Sequence, residues 1–353
     1  MKRFSINTPM LSRYFWRLYE NKRYEEMCER EWIISPACAS LSPTAIRLPG
    51  QIEKVTAVTD ATTMEYELLR INGGRREHAA TIARVLRDAE IIDGYIYKRA
   101  AKIQISVRPE SFLSHNRSDE VKESAALTCS LNDSMYFGHW VTDGIPLLMA
   151  GRVLAPPIRN SEPLTQHQQQ YLSILDLSYD GFTNGTVREL IILEDYSQNR
   201  YKRERYEIIR ARFLQSGSGF THPGAMILRG GSGTTPRYLM NEKQIADYLQ
   251  SIGYKVVDPE RQSAGEIIEA ISGARVIVGI EGSQLAHGLY SIADTGTLLV
   301  LQPPYLFTNV HKDYMDCLDL NYAFVVGDAC EGGFRISMDD LKMTLDLIAA
   351  KQS

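Results

Sequence analysis

The sequence predicts an α/β protein of two domains. At 353 residues the chain exceeds what one ordinary core accommodates. From Ala225 onward, short apolar runs alternate with helical patterns, the mark of a parallel sheet covered on both faces. Between these halves lies a stretch rich in charge, Gly and Ser, from Tyr201 through Ser216 to Gly224, and this composition shift marks the domain boundary. The expected domains are residues 1–205 and 206–353.

In chain order, residues 1–45 read as helical at first, then irregular around Pro36 and Pro43. Lys54 to Val58 reads as a strand and Glu77 to Asp88 as a helix. Ala89 to Tyr97 and Ala101 to Val107 alternate like the two arms of a hairpin. Ala125 to Cys129 reads as a strand, Leu164 to Leu175 as a helix and Val187 to Leu193 as a buried strand. In the second half, strands are expected at Ala225 to Leu228, Tyr254 to Val257, Ala274 to Gly279 and Gly296 to Leu301. Helices are expected at Asn241 to Ser251, Ala264 to Ser272 and Leu285 to Ser291. Ligands of such a sheet bind at the carboxyl ends of its strands. That places Arg229 to Arg237, Asp258 to Glu260 and Glu281 to Gln284 at the candidate site.

Composition limits the partners. With 44% hydrophobic and 23% charged residues the chain is of the soluble globular class. A net charge of −4 gives no overall attraction to nucleic acid. The five cysteines are scattered without metal-knuckle spacing, and no His, Cys and carboxylate cluster has metal spacing, so no metal site is expected. No apolar run reaches the ~18 residues of a spanning helix, and no signal-peptide pattern opens the chain. The expectation is a reduced, cytoplasmic setting, at most at the inner face of the membrane. Leu11 to Tyr19, followed by Lys22 and Arg23, has two readings: an amphipathic helix packed on its own domain, or a foothold on a membrane surface.

Several constellations carry chemistry. Tyr136 to Pro146 holds His139 and Asp143 four residues apart, so that a helix presents both on one face. They read as a base and its orienter, with either as the base, or as a core histidine and a surface aspartate. Arg229 and Arg237 bracket a strand-end loop whose glycines, Gly231 and Gly233, fit neither a Walker loop nor a dinucleotide fingerprint. Guanidinium forks suit phosphate oxygens; solvated surface arginines are the alternative. Gly282, Ser283 and Gln284 follow an apolar strand at a helix start, where backbone N–H groups favour an anion such as a diphosphate, unless Ser283 simply caps the helix. Glu281 is expected to hydrogen-bond a sugar hydroxyl or to pair with an arginine. His311, with Asp313 and Tyr314, forms a further polar group of unassigned role. Lys202 to Arg205, beside Tyr201 and Tyr206, reads as a solvated linker or as a contact for acceptor or membrane.

In this order the pieces resemble glycosyltransferase family 61. The landmarks are Tyr136 to Pro146; Leu228-Arg229 followed by Arg237 to Glu242; Gly253 to Glu260 followed by Ala274 to Gly279; and Glu281 to Leu285 followed by Leu298 to Pro303. The resemblance implies a GT-B architecture of two Rossmann-like domains facing a cleft, with the nucleotide sugar on the C-terminal one. It implies an inverting transferase that needs no active-site metal and no cofactor. The donor is a nucleotide sugar, by preference a UDP-sugar, and the acceptor a glycan or lipid-linked glycan, as in bacterial members that build capsule and surface polysaccharide. Asp143, with His139 as partner or acceptor ligand, is the expected base. Arg229, Arg237, Glu281, Gly282, Ser283 and Gln284 are the expected donor-binding residues. Relatives often carry histidine before the Gly-Ala turn and glutamine in the preceding helix, where this chain has Glu281 and Glu266. A sugar-nucleotide-binding protein without transferase activity is the rival reading.

Overall fold

A computed structural model describes residues 5–20, 22–114, 120–214, 219–230 and 237–352. Ser216 to Ser218 and Gly231 to Pro236, which entered the sequence reading, lie outside these. The fold is mixed α/β. By contact the chain divides into two units, 1–37 with 79–202 and 38–78 with 203–353. Residues 38–78 thus group with the second half of the chain.

The first unit is built on an eight-stranded mixed sheet. One side of it runs parallel: Asp180–Gly181, Pro157–Arg159, Val121–Leu127 and Asn184–Glu194 in that order. Asn184–Glu194 then pairs antiparallel with Thr81–Ile92, which also pairs with Arg30–Ser35 and Tyr95–Lys98; the last pairs with Ala101–Gln104. Leu86, Ala89, Val187, Leu190, Ala125 and Leu127 supply one buried face. Ala83, Val85, Ala126 and Ile191 supply the other, under Ala150 and Leu147 of the helix Ile145–Gly151.

The second unit carries a five-stranded sheet in which every pairing is parallel. Its spatial order is Lys255–Val257, His222–Ile227, Ala274–Ile280, Ile292–Gln302, Asn321–Val326. By sequence that is 2-1-3-4-5, a doubly wound order whose direction reverses between the first and third strands. Val276, Val278 and Ile280 alternate with Ile277 along one strand, and all four are buried, as expected where helices cover both faces.

Several local expectations are corrected. Glu77 to Asp88 is not helical; it lies in the strands Gly74–His78 and Thr81–Ile92. Its Ala, Arg and Glu residues favour a helix, but Arg30–Ser35 and Asn184–Glu194 pair both edges of the long strand, and tertiary pairing overrides local propensity. The expected hairpin is present where Tyr95–Lys98 pairs antiparallel with Ala101–Gln104, but its first arm does not begin at Ala89. The chain turns back at Asp93-Gly94, whose φ angles of 48° and 85° are those of a tight two-residue turn. Lys54 to Val58 is not a strand but the end of a short helical turn, and the N–H groups of Thr56 and Ala57 go to the Pro304 carbonyl. Pro36 and Pro43 lie outside regular elements as expected, but the strands Arg30–Ser35 and Cys38–Ser42 run before and between them. Tyr201 to Tyr206 is no solvated linker: it lies in the helix Arg200–Phe213, with Lys202, Arg205 and Tyr206 buried.

Candidate functional site

The site of the first unit begins at a helix start. Ser130 caps Leu131–Met135: its hydroxyl accepts from the Asp133 N–H at 3.3 Å while the Asp133 carboxylate accepts from the Ser130 N–H at 3.1 Å. Asp133 also receives Arg159 Nη2 at 3.0 Å, a buried ion pair. After Tyr136 the chain turns into Phe137–His139, then a single wide turn, Trp140–Gly144, then Ile145–Gly151. Pro146 has no N–H to continue the regular ladder. The Ile145 N–H instead reaches back five residues to the Trp140 carbonyl, the π-type turn that recurs at functional sites. Trp140 anchors the turn, its ring 6.2 Å from Tyr171 and 6.3 Å from Phe137.

This brings His139 and Asp143 together on one face, with His139 Nδ1 2.9 Å from Asp143 Oδ2. Thr142 Oγ1 donates to the same carboxylate at 3.2 Å. The other oxygen receives Lys202 Nζ at 3.2 Å. Lys202 is fully buried, and its ammonium also lies 3.2 Å from Asp195 Oδ2. Asp195 in turn accepts from Thr81 Oγ1 at 2.9 Å. Asn199 holds the start of the Lys202 helix, accepting the Lys202 N–H at 3.1 Å and donating to Thr81 Oγ1 at 2.9 Å.

Burial pushes the Asp143 carboxyl up, but the Lys202 ammonium and the His139 contact outweigh it and hold Asp143 below its ordinary range. An ionised carboxylate only accepts hydrogen bonds, so Nδ1 of His139 carries the hydrogen toward it, and in a ring with a single hydrogen Nε2 is the acceptor. About a third of the His139 side chain is exposed, against 0% of Lys202. The two residues named from sequence are therefore the outer end of a chain whose inner end, Lys202 and Asp195, sequence reasoning missed. The signal available was Lys202 inside a charged, aromatic segment.

A cavity of about 200 Å³ opens beside this group at the carboxyl ends of Val121–Leu127 and Asn184–Glu194. Tyr24, Ile105, Leu147 and Tyr196 line its apolar part, and Asn132 and Asp143 its polar part.

The second unit gathers the other candidates at the carboxyl ends of its strands. Arg229 follows His222–Ile227 and Glu281 to Gln284 follow Ala274–Ile280, the two strands between which the sheet order reverses. Neither arginine is a solvated surface group. Arg229 is buried, donating from Nη1 to the Glu281 carbonyl at 2.8 Å and to Gln284 Oε1 at 3.4 Å; its N–H donates to Glu242 at 3.0 Å. Burial and the neighbouring Arg237 lower its pKa. Arg237 Nη1 pairs with Glu281 Oε2 at 2.8 Å, so Glu281 is an arginine partner. Burial raises the Glu281 pKa despite Arg237 and Arg229. Gly282 leaves room for the guanidinium above it: a Cβ would lie 1.7 Å from Arg229 Nη1, so a larger residue displaces that side chain. Ser283 makes no side-chain cap for the short turn Ser283–Leu285 that leads into Ala286–Leu289. Glu266 makes the capping box of Ala264–Ile271 with Ser263.

His311 Nδ1 stands 4.0 Å from Glu281 Oε1, which ties the unassigned polar group to this site. Asp313 receives Arg70 Nη2 at 2.9 Å, and Glu67 accepts the Asn309 N–H at 2.7 Å. Both partners come from the helix Met64–Asn72, which the sequence reading gave no role. Among the described residues no group of three or more His, Cys, Asp or Glu side chains is arranged to hold a metal ion.

Residues 137–300 match the model of the family described as Glycosyltransferase 61. The match supports glycosyltransferase family 61, and with it a glycosyltransferase. The segment runs from the His139 turn into the strand Ile292–Gln302, and it contains the Lys202 chain, both arginines and the Glu281–Gln284 turn. Met64–Asn72 and His311 lie outside it. No curated protein matches the chain.

Proposed function

We propose that this protein is an inverting, metal-independent glycosyltransferase of GT-B type. It moves a sugar from a nucleotide donor, a UDP-sugar by preference, to a hydroxyl of a glycan or lipid-linked glycan in surface-polysaccharide synthesis. The observation that carries the reading is the chain from Lys202 through Asp143 to His139, within the family-61 segment. A buried ammonium keeps a carboxylate ionised, and the carboxylate holds an imidazole with Nε2 as acceptor. That arrangement suits a general base.

His139 rather than Asp143 is the base in this reading. Asp143 already accepts from three groups and its basicity is low, so its part is to orient His139 and to stabilise the imidazolium. In the step, the acceptor hydroxyl gives its proton to His139 Nε2. Its oxygen forms a bond to the anomeric carbon from the face opposite the leaving group. The bond from that carbon to the phosphate oxygen breaks, and the nucleoside diphosphate leaves with the electron pair. The donor is assigned to the second unit, where Arg237 meets the diphosphate. Arg229 holds the Glu281–Gln284 turn so that the backbone of Gly282, Ser283 and Gln284 faces the phosphates. The cavity beside Asp143 is assigned to the acceptor, its tyrosines offering apolar faces to a sugar ring.

The test is transfer and donor hydrolysis by the purified protein over a panel of nucleotide sugars. Turnover is expected with one donor class and loss of turnover in His139→Ala, with nucleotide binding retained. A protein that binds UDP and turns over equally in wild type, His139→Ala and Asp143→Asn would overturn the assignment.

A further inference from the structure

The helix Thr8–Tyr19 is amphipathic, and its apolar stripe faces away from the protein. Leu11, Tyr14, Phe15 and Leu18 recur at helical spacing on one face, with Tyr19 beside them. Tyr14, Phe15, Leu18 and Tyr19 are 52, 68, 79 and 85% exposed. The opposite face makes the attachment: Met10 packs with Ile92, Tyr95 and Tyr97, and Arg13 Nε donates to the Ala100 carbonyl at 3.1 Å. Trp16 lies under the Arg99 guanidinium, 5.1 Å from its ring centroid. Asn7 caps the helix start, accepting the Met10 N–H at 3.1 Å. The helix is thus packed on its own unit, as one of the two readings had it, but not through its apolar stripe. Arg13 and the Trp16 ring hold the inner face, and the apolar residues are left outside. Ile6 and Phe112, joined through the Asn7 N–H to Phe112 carbonyl bond of 2.9 Å, are also more than half exposed.

We propose that this helix docks the protein on an anionic lipid surface, lying in the plane of the bilayer. Charge argues for that occupant over a second protein surface. Besides Arg13, which faces inward, residues 8–23 hold Arg17, Lys22 and Arg23 against the one acid Glu20, in a chain whose net charge is −4. The excess of cations is thus local to the apolar stripe. Aromatic and leucine side chains enter the acyl boundary while flanking arginines and lysines meet anionic headgroups. No helix of the described residues is long and apolar enough to cross a membrane, so this contact lies on the surface. The inference does not depend on the reading of the catalytic group.

The experiment is flotation of the full chain with vesicles of phosphatidylcholine alone and with phosphatidylglycerol added. Wild type is expected to float with the anionic vesicles, less so as salt is raised. Phe15→Glu/Leu18→Glu is expected to lose about tenfold or more of that partitioning. Both positions are exposed, so the variant keeps the thermal midpoint of the wild type, measured alongside. Equal flotation of variant and wild type, or none by wild type, would overturn the proposal. So would a wild-type dimer that ignores vesicles and becomes monomeric in the variant, because a second copy would then cover the face.

Discussion

Lys202 Nζ stands 3.2 Å from Asp143 Oδ1 and the same distance from Asp195 Oδ2, with no part of its side chain exposed. One buried ammonium thus serves two carboxylates, and one of those carboxylates holds His139. Removing the ammonium takes from Asp143 and Asp195 the cation they share and leaves each carboxylate only its hydrogen bonds, from His139 and Thr81 among others. Lys202→Met is expected to cost about 3–5 kcal/mol of stability, the usual penalty for orphaning buried charge. The Asp143 pKa rises as well. Chemical denaturation at neutral pH measures the first effect. A variant as stable as wild type would show that the ammonium is not what balances these carboxylates.

His139→Ala is expected to lower transfer by about 10²–10⁴-fold, the usual contribution of a general base. Asp143→Asn keeps the geometry but removes the charge that fixes the Nδ1–H tautomer, so it is expected to lower kcat with little change in donor KM. Steady-state kinetics on both variants separates the roles. Greater loss in Asp143→Asn than in His139→Ala would return the base to Asp143.

Asp143 also carries a pH dependence. Its folded pKa lies below the ordinary carboxyl value of 3.8. The stability it contributes is complete above that ordinary value and is lost as pH falls through the lower folded one. Urea titrations between roughly pH 5 and pH 2 should therefore show a steeper acid loss in wild type than in Asp143→Asn. Parallel curves would mean that Asp143 is not held ionised.

Glu281 has the opposite sign. Its folded pKa is raised, so its contribution is complete below the ordinary 4.5 and is lost as pH rises through the folded value. Glu281→Gln removes that loss, and its stability relative to wild type is expected to improve from acid to neutral pH. The variant also frees Arg237 from its 2.8 Å ion pair, so titration calorimetry should show tighter UDP binding. Weaker UDP binding in the variant would place Glu281 on the donor itself.

Gly282→Ala sets a methyl group 1.7 Å from Arg229 Nη1. The arginine must then leave the Glu281 carbonyl, which it holds at 2.8 Å. A loss of about 1–3 kcal/mol, typical of overpacking, is expected together with weaker nucleotide binding. Thermal melts with and without UDP read both effects. An unchanged melt would mean that the turn moves freely.

The second half of the chain was legible because its signals are local. Strands such as Ala274–Ile280 are apolar and buried on both faces from Val276 onward, and Ser263 with Glu266 announces a helix start three residues apart. The first half was less legible. Thr81–Ile92 is rich in helix formers, and most of its length is held as a strand by two of its sheet neighbours, Arg30–Ser35 and Asn184–Glu194. Their pairing joins positions far apart in sequence, which no local window reports.

By itself the sequence determined the α/β class, the strand ends that carry Arg229 and Gly282, and the four-residue spacing of His139 and Asp143. Each follows from short-range chemistry: apolar periodicity, glycine at a turn, and the pitch of a helix. Only the tertiary structure decided that Lys202 is buried between Asp143 and Asp195, 59 residues from the first of these. It also decided that Glu281 is spent on Arg237 and that the apolar stripe of the first helix faces outward. Burial and ion pairing belong to what surrounds a charge in space, and the chain order of these residues does not record it.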